Sequence, residues 1–113
     1  IDPVSPLPCR VAEVDGRVAG FAIHFTHLST CVVEEDCYLE DLYVDEALRG
    51  QGIGRALLDD LVDLAERHGW ARLYWHTDED NLRARKLYDS YVEADGHVRY
   101  RIDFAQRRQK QRA

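Results

Sequence analysis

Three glycines at alternate positions, Gly50, Gly52 and Gly54, mark the stretch of this 113-residue chain whose spacing points most directly to chemistry. They follow a run of strand character, Tyr38 to Val44, and open a segment with helical periodicity. The first N–H groups of a helix have no intrahelical partner, and the helix dipole is positive at that end. Glycine lets the backbone approach a bulky anion because it has no Cβ. Strand, glycine turn and helix N-terminus together predict a phosphate-binding site.

The spacing of the glycines separates this turn from two well-known nucleotide-binding loops. A Walker A loop needs a lysine followed by serine or threonine, and no such lysine follows here. The dinucleotide fingerprint has the pattern Gly-x-Gly-x-x-Gly, whereas residues 50–54 are Gly-Gln-Gly-Ile-Gly and lack the third glycine at that spacing. Neither loop therefore describes these glycines, and a glycine turn that only caps an ordinary helix stays an alternative to a phosphate site.

The elements that position this turn follow from hydrophobic periodicity. Apolar residues recur at three- and four-residue steps after Gly52, which predicts a helix over Gly52–His68 that ends at Gly69. Asp15-Gly16 and Asp95-Gly96 are two-residue hairpin signals. A second helix is predicted after Asp78–Asn81, which can cap it, and it carries Ala84, Leu87, Tyr88 and Tyr91 on one face. The predicted strands are Arg10–Val14, Val18–Phe25, Cys37–Val44, Ala71–Thr77, Tyr91–Ala94 and His97–Phe104.

Three motifs connect the chain to a known family. Arg49-Gly50-Gln51-Gly52-Ile53-Gly54 matches Arg/Gln-x-x-Gly-x-Gly/Ala, the strand Leu42-Tyr43-Val44 precedes it, and Asn81-x-x-Ala84-x-x-Leu87-Tyr88 follows. By these motifs the chain resembles the GNAT N-acetyltransferases. Tyr-Leu-Glu-Asp at residues 38–41 is similar to the same segment of the diamine (spermidine/spermine) and thialysine acetyltransferases.

The resemblance implies a mixed α/β fold, with a mostly antiparallel sheet around a central parallel β-α-β crossover. The family normally begins with a further strand and helices that this sequence lacks, so an N-terminally truncated form of the fold is expected. A single domain is predicted over residues 1–104, followed by a basic, disordered tail over residues 105–113.

The resemblance also implies acetyl-CoA as co-substrate. The glycine turn would cradle the pyrophosphate, and the strand Leu42–Val44 would pair with the pantetheine arm. Leu42 and Val44 equally suit a plain core, and Asn81 equally suits a helix N-cap, so both interpretations stay open. The cofactor-binding residues that the resemblance implies are Leu42, Tyr43, Val44, Arg49, Gly50, Gln51, Gly52, Ile53, Gly54, Arg55, Asn81 and Ala84.

Acetyl transfer to an amine needs a group that takes a proton from the nitrogen. An alkylammonium has a pKa of about 10.4, so its deprotonation at neutral pH costs roughly 4 kcal/mol. Glu40, within an otherwise apolar strand, matches the catalytic glutamate of the resembled enzymes. Asp41 as the base, or an exposed strand carboxylate with no catalytic role, are the alternatives. Tyr88 matches the family tyrosine that protonates the leaving thiolate, with a core tyrosine as its alternative. Glu40, Asp41 and His76 are the candidate acceptor-binding residues, although His76 also suits a structural role.

Composition limits the partners. The net charge is −6, and because Arg107–Arg112 holds four cations and no acid, the rest of the chain carries −10. Such a body argues against nucleic acid as a partner and favours cations. No apolar run reaches membrane-spanning length and no signal peptide is visible, so a cytoplasmic protein with no membrane partner is expected. The cysteines, Cys9, Cys31 and Cys37, lack metal spacing, as do the histidines, so no metal is expected.

The sequence therefore predicts an acetyl-CoA-dependent N-acetyltransferase. Its acceptor is predicted to be the primary amine of a small cation, a polyamine or lysine-like compound, which attacks directly in a ternary complex. The alternatives are a protein or peptide lysine acetyltransferase and a CoA- or acyl-CoA-binding module without turnover. A homodimer is expected, because unpaired sheet edges invite pairing and similar proteins commonly pair through the strand at His97–Phe104.

Overall fold

The computed structural model describes residues 7–112, with side chains for residues 7–110. The chain divides into two compact units between Asp80 and Asn81. The first unit contains β1 (Cys9–Val14), β2 (Arg17–His27), β3 (Asp36–Val44), a short 3-10 helix (Glu46–Leu48), α1 (Ile53–His68) and β4 (Arg72–Tyr74), and the second contains α2 (Leu82–Asp89) and α3 (Phe104–Arg112).

The first hairpin forms where the sequence predicts it. β1 and β2 pair antiparallel around Asp15 and Gly16, which have φ of 51° and 77°. Two successive positive φ values are those of a type I′ turn, whose twist matches that of the strands it joins. Aspartate tolerates this region and glycine adopts it freely, so the pair Asp-Gly specifies the turn locally.

The predicted fold class is confirmed: a four-stranded mixed sheet in the order β1-β2-β3-β4, in which β3 and β4 are parallel and joined through α1. β4 is shorter than the predicted strand Ala71–Thr77, because only Arg72–Tyr74 pair with β3. Within the described residues β4 is an edge strand, so the parallel pair lies at the side of the sheet rather than its centre.

α1 covers one face of the sheet and forms the core with it. A Cβ on Gly20 would lie 2.5 Å from the Tyr43 carbonyl oxygen and 3.2 Å from Leu57 Cδ1, so glycine lets the helix and strands approach closely there. Gly69, with φ of 68°, ends the helix as predicted. The buried core side chains are Ala19, Ala22, Cys37, Leu39, Ile53, Leu57, Leu58 and Leu61.

A β-bulge interrupts β3 at Glu40. Ile23 and His24 are consecutive in β2, but their partners in β3 are Asp41 and Leu39. Glu40 is therefore the extra residue, opposite no residue of β2. Bulges bend a strand and change where the following side chains point, so the alternation expected from sequence fails at this position.

The C-terminal part of the chain differs from the prediction. The strands predicted at Tyr91–Ala94 and His97–Phe104 are wrong, since no strand occurs between residues 91 and 104. The turn between them does form: Gly96 has φ of 79°, and the Asp95 carboxylate accepts a hydrogen bond from the His97 N–H at 3.2 Å. A turn signal fixes only local dihedral angles, whereas a strand also needs a neighbouring ladder.

α3 occupies Phe104–Arg112, where a disordered tail was expected. The Asp103 side chain caps it by accepting a hydrogen bond from the Gln106 N–H at 3.1 Å, and the Asp103 carbonyl accepts one from the Arg107 N–H at 2.9 Å. The helix that follows consists largely of arginine, lysine, glutamine and alanine, all good helix formers. The basic run at residues 107–112 is therefore part of a capped helix, which its charge alone did not predict. The single domain over residues 1–104 stays a prediction.

Candidate active site

The glycine turn presents the N-terminus of α1 to open space. Gly50 and Gly52 have φ of 82° and 80°, values that residues with a side chain rarely adopt, and a Cβ on either would meet nothing within 4 Å. Gly52 is the N-cap and has no side chain to satisfy the first-turn N–H groups. The first intrahelical bond runs from the Ala56 N–H to the Gly52 carbonyl at 2.9 Å. This arrangement fits a pyrophosphate.

The other residues of the turn divide between core and surface. Ile53 is buried in the first turn of α1 and anchors the turn to the sheet. Gly54 lies within α1, while the side chains of Gln51 and Arg55 are exposed. The predicted phosphate contact of this segment therefore rests on its backbone, with Arg55 able to add positive charge at the surface.

β3 has an open edge that leads directly into this turn. It pairs with β2 over Asp36–Val44 but with β4 only at Asp36, Cys37 and Tyr38. On the side of β4, no strand of the described sheet pairs with Leu39–Val44. An extended ligand can pair with such an edge through backbone hydrogen bonds, as an added strand does.

Arg49 connects the open edge to the turn. Its Nε donates a hydrogen bond to the Val44 carbonyl at 3.2 Å, and its guanidinium lies 6.0 Å from the centroid of the Tyr43 ring. Both contacts hold an exposed cation between the end of β3 and Gly50. A guanidinium in this place is suited to pair with a phosphate group.

The bulge brings Tyr38 and Asp41 onto one face of the sheet. Their partners in β2, Phe25 and Ile23, are two residues apart and therefore point to the same side, which is the side opposite α1. Strict alternation would have placed Asp41 on the α1 side. Glu40 and Asp41 are both exposed, so the two candidate carboxylates lie in sequence at a solvent-facing irregularity of β3.

His76 contacts this same region through Tyr38. Its Nδ1 lies 3.1 Å from the Tyr38 hydroxyl oxygen, and the two rings are 5.5 Å apart between centroids. The sequence predicted His76 near the acceptor site but not its pairing with Tyr38. The parallel register explains the pairing: Tyr38 lies opposite Tyr74, so His76 follows two residues after the last pair, as Glu40 does on β3.

The remaining predicted residues lie on α2, in the second unit. Asn81 is its N-cap, and its side-chain oxygen accepts a hydrogen bond from the Ala84 N–H at 3.2 Å. Ala84 and Tyr88 are half-buried and fall on the same helical face. The capping role of Asn81 is therefore observed, while contacts of Asn81, Ala84 and Tyr88 with a cofactor stay a prediction.

A groove of about 430 Å³ lies between β1 and α1, on the face of the sheet that α1 covers. Its two charged residues satisfy each other: Arg10 makes a bidentate ion pair with Asp60, at 2.7 and 2.9 Å. This pair lowers the pKa of the Asp60 carboxyl and raises that of Arg10. Since the groove offers no other charged group, the candidate site is the region around Glu40 and the glycine turn.

Two general features of residues 7–112 bear on partners. They contain no group of three or more histidine, cysteine or acidic side chains placed to hold a metal ion. None of the helices within them has both the length and the apolar composition needed to cross a bilayer.

A strand edge that opens beside a glycine turn and a helix N-terminus is the arrangement expected of a cofactor-binding α/β domain, and similarity to known proteins shows which family has it here. The family model of the acetyltransferase (GNAT) family matches residues 3–91. The chain belongs to this family, and the resemblance stated from its motifs is confirmed.

Several curated relatives are N-acetyltransferases. The chain is 38% identical over 86 residues to the D-amino-acid N-acetyltransferase HPA3 of Saccharomyces cerevisiae, covering 76% of this chain and 53% of that protein. It is 38% identical over 76 residues to the ribosomal protein bS18 alanine N-acetyltransferase of Escherichia coli, covering 67% of this chain and 47% of that protein. It is 32% identical over 100 residues to the thialysine N-epsilon-acetyltransferase of Caenorhabditis elegans, covering 84% of this chain and 62% of that protein. The chain thus spans about half the length of the first two relatives.

Solved structures agree with the fold. An integron cassette protein from the mobile metagenome of V. cholerae superposes with a TM-score of 0.81 at 26% identity, over 98% of this chain and 70% of that one. A ribosomal-protein-alanine N-acetyltransferase from Brucella melitensis biovar Abortus gives a TM-score of 0.75 at 30% identity, over 84% and 69%.

Proposed function

We propose that this chain binds acetyl-CoA and transfers its acetyl group to the primary amine of a small cationic acceptor, by direct attack in a ternary complex. The observation that carries the proposal is the open edge of β3, Leu39–Val44, continuous with the glycine turn at the N-terminus of α1. The edge offers backbone hydrogen bonds to an extended arm, and the turn offers N–H groups to a pyrophosphate. Bound acetyl-CoA would supply a thioester carbonyl for attack.

Both backbone groups and side chains are proposed to bind acetyl-CoA. Leu42, Tyr43 and Val44 would pair with the pantetheine arm through their backbone, which leaves Leu42 and Val44 free to fill the core as well. Arg49 and Arg55 would add charge near the phosphates, and the backbone of Gly50–Gly54 would cradle them. Asn81 and Ala84 on α2 are the further proposed contacts.

Proton transfer is assigned to Glu40 and Tyr88. Glu40 is proposed to take a proton from the acceptor ammonium, which its exposed place on the bulge allows it to reach. Tyr88 is proposed to protonate the thiolate, because a phenol with an ordinary pKa near 10 remains protonated at neutral pH. Asp41 adds negative charge beside Glu40 and favours a cationic acceptor.

The acceptor has two candidate classes. The acidic pair Glu40 and Asp41 favours a polyamine or lysine-like amine, in line with relatives named as thialysine and L-ornithine acetyltransferases. The relative named for D-amino acids favours the amino group of a free amino acid as the second candidate. The relative named for the alanine of ribosomal protein bS18 supports a protein acceptor instead. A protein lysine acceptor and a CoA-binding module without turnover are the remaining alternatives. A cytoplasmic location stays a prediction.

The first test concerns cofactor binding. Gly52→Asp should weaken acetyl-CoA binding at least about 10-fold, equivalent to about 1.4 kcal/mol, because it adds a carboxylate where the pyrophosphate would lie. Isothermal titration calorimetry measures the affinity, and circular dichroism confirms that the variant is folded.

Gly16→Asp is the matched control for this variant. Gly16 has φ of 77°, close to the 80° of Gly52, and a Cβ there likewise meets nothing within 4 Å. The control therefore introduces the same backbone strain and the same charge at the hairpin. Equal affinity of both variants for acetyl-CoA would remove the cofactor assignment.

Turnover is tested by incubating the protein with acetyl-CoA and spermidine, L-lysine, L-ornithine or D-alanine. Acetylated amine should be followed by mass spectrometry rather than by thiol reagents alone, because Cys31 is exposed and would react. Burial raises the pKa of the Cys37 thiol to about 11, so that thiol should stay unreactive. Binding of acetyl-CoA without acetylation of any amine would favour the binding module.

A further inference from the structure

Five aromatic rings cluster at the end of the sheet where β3 and β4 stop pairing: Phe25, His27, Tyr38, Tyr74 and His76. Tyr38 lies at their centre, with ring centroids 5.0 Å from Tyr74, 5.4 Å from Phe25 and 5.5 Å from His76. This packing includes two tyrosine–histidine pairs, which differ in how many nitrogens of the imidazole ring are hydrogen-bonded.

The first pair is fully engaged. His27 Nε2 lies 2.6 Å from the Tyr74 hydroxyl oxygen, and its Nδ1 lies 3.0 Å from the Leu28 carbonyl oxygen. A carbonyl can only accept, so Nδ1 carries the proton and Nε2 accepts the Tyr74 hydroxyl proton. Both ring nitrogens of His27 are thereby used, and this pair has a structural role.

The second pair leaves one nitrogen available. His76 uses Nδ1 in its contact with the Tyr38 hydroxyl, at 3.1 Å, and the residue is exposed. Within residues 7–112, its Nε2 has no hydrogen-bond partner. If Nδ1 donates its proton to the Tyr38 oxygen, Nε2 has a lone pair directed away from Tyr38 and can accept a proton.

We propose that His76, held by Tyr38, is a second proton acceptor for acetyl transfer, beside Glu40. The inference rests on the proposed function. The position of His76 relative to Glu40 follows from the parallel register of β3 and β4. Tyr38 and Tyr74 form the last pair of the parallel ladder, and Glu40 and His76 each follow two residues later. Both therefore lie where the open edge of β3 begins, which is where the thioester would meet the acceptor amine.

The reaction removes two protons from the acceptor nitrogen, so a second acceptor beside Glu40 has a step to serve. An ammonium nitrogen carries three protons, whereas the nitrogen of the product amide keeps one. As the C–N bond forms at the acetyl carbon and the C–S bond breaks, two protons must leave the nitrogen. Glu40 takes the first before attack, and His76 Nε2 takes the second after it. Tyr88 gives a proton to the thiolate and regains one of these, so one proton passes to solvent.

Several ionisable groups lie on the elements around His76: His27 from β2, Tyr38, Glu40 and Asp41 from β3, Tyr74 from β4, and Asp78 in the segment that follows. Burial raises the pKa of the Tyr74 hydroxyl, with Asp36 and Tyr38 adding to the effect, so Tyr74 remains a neutral donor to His27. Because these groups surround both histidines, variants of the His27–Tyr74 pair are the appropriate controls for variants of His76 and Tyr38.

The test uses His76→Gln and Tyr38→Phe, with His27→Gln and Tyr74→Phe as controls from the structural pair. With acetyl-CoA and the amine that wild type acetylates fastest among spermidine, L-lysine, L-ornithine and D-alanine, His76→Gln should lower kcat about 100-fold. The KM for acetyl-CoA should stay unchanged. Tyr38→Phe should lower kcat by a smaller factor, and the double variant should be no slower than His76→Gln, because the two residues act as a unit.

Two further readouts separate catalysis from structure. The acidic limb of kcat/KM in wild type should coincide with the titration of the His76 ring followed by NMR, and His76→Gln should lack that limb. Tyr38→Phe should shift the NMR titration of His76, whereas Tyr74→Phe should not.

Wild-type kcat and pH dependence in His76→Gln would overturn this inference while leaving the proposed function intact. An equal loss in the His27→Gln control would overturn it too, by showing that the whole cluster is only structural. Failure of wild type to acetylate any of the four amines would overturn the proposed function, and this inference with it.

Discussion

Glu40 shows how a single inserted residue changes a site. Without the bulge, Tyr38 and Glu40 would share one face of β3, and Leu39 and Asp41 the other. With it, Leu39 remains buried against α1, while Asp41 moves to the face of Tyr38. Two adjacent carboxylates thereby become available at the start of the open edge, which no regular strand would allow.

The role of Glu40 is tested by its pH dependence. Glu40→Gln should lower kcat most near neutral pH and approach the wild-type rate as pH nears the pKa of the amine, because the free amine then needs no base. The pH–rate profile of each variant with the fastest acceptor provides the measurement. Asp41→Asn is the matched control and should raise KM for a cationic acceptor with little change in kcat. A wild-type profile in Glu40→Gln would transfer the role to another group.

His24 makes a prediction about stability. It is only 4% exposed, and burial lowers its pKa, with the Arg10 guanidinium adding to the effect. Its Nδ1 has no hydrogen-bond partner among the described residues. The unfolded chain therefore binds a proton at His24 more readily than the folded one, so stability should fall as pH decreases through about 6.5.

Urea unfolding at about pH 7.5 and pH 5.5 measures this effect, and His24→Phe should reduce the difference between the two midpoints. Asp36, Asp60 and Asp95 do not interfere, because their pKa values are lowered from 3.8 and their contribution is lost only below that value. An equal change of midpoint in wild type and His24→Phe would contradict the assignment to His24.

At the scale of elements, features coded by neighbouring residues were predictable. The Asp15-Gly16 hairpin, the helix that begins after Gly52 and the helix end at Gly69 each depend on dihedral angles and capping that a few residues set. These features include the whole glycine turn, so the proposed phosphate site was visible in the sequence.

Features that depend on pairing between distant segments were not predictable. The bulge at Glu40 appears only in the register between β2 and β3, and the contact of His76 with Tyr38 joins residues from two different strand ends. The same cause explains the missing C-terminal strands. Alternation at Val98, Tyr100 and Ile102 is typical of a strand, but a strand forms only against a partner.

At the scale of the whole molecule, charge and exposed apolar surface are unevenly distributed. Residues 1–80 contain 17 acidic and 6 basic side chains, whereas residues 81–113 contain 4 acidic and 9 basic ones. The basic second unit also exposes Val98, Tyr100 and Ile102, at 75%, 93% and 61%. Exposed apolar residues in a basic segment are suited to contact an acidic surface that has apolar residues of its own.

We therefore expect a homodimer in which residues 97–104 of one copy pack against the acidic first unit of the other. Such an isologous contact would form twice and bury both segments. It would also supply the neighbour that the strand-like alternation lacks, since the edges of the sheet offer unpaired backbone groups. Opposite charges on the two surfaces predict that the dimer weakens as salt increases.

Light scattering at micromolar concentration should give twice the mass of the chain at low salt. Tyr100→Asp should shift the population to monomer, because it places a charge within the apolar contact and reduces the basic character of the segment. Val33→Asp is the matched control, since Val33 is 94% exposed but lies in the acidic first unit, outside residues 97–104. A monomeric wild type with full acetyl transfer, at low and high salt alike, would exclude a functional dimer.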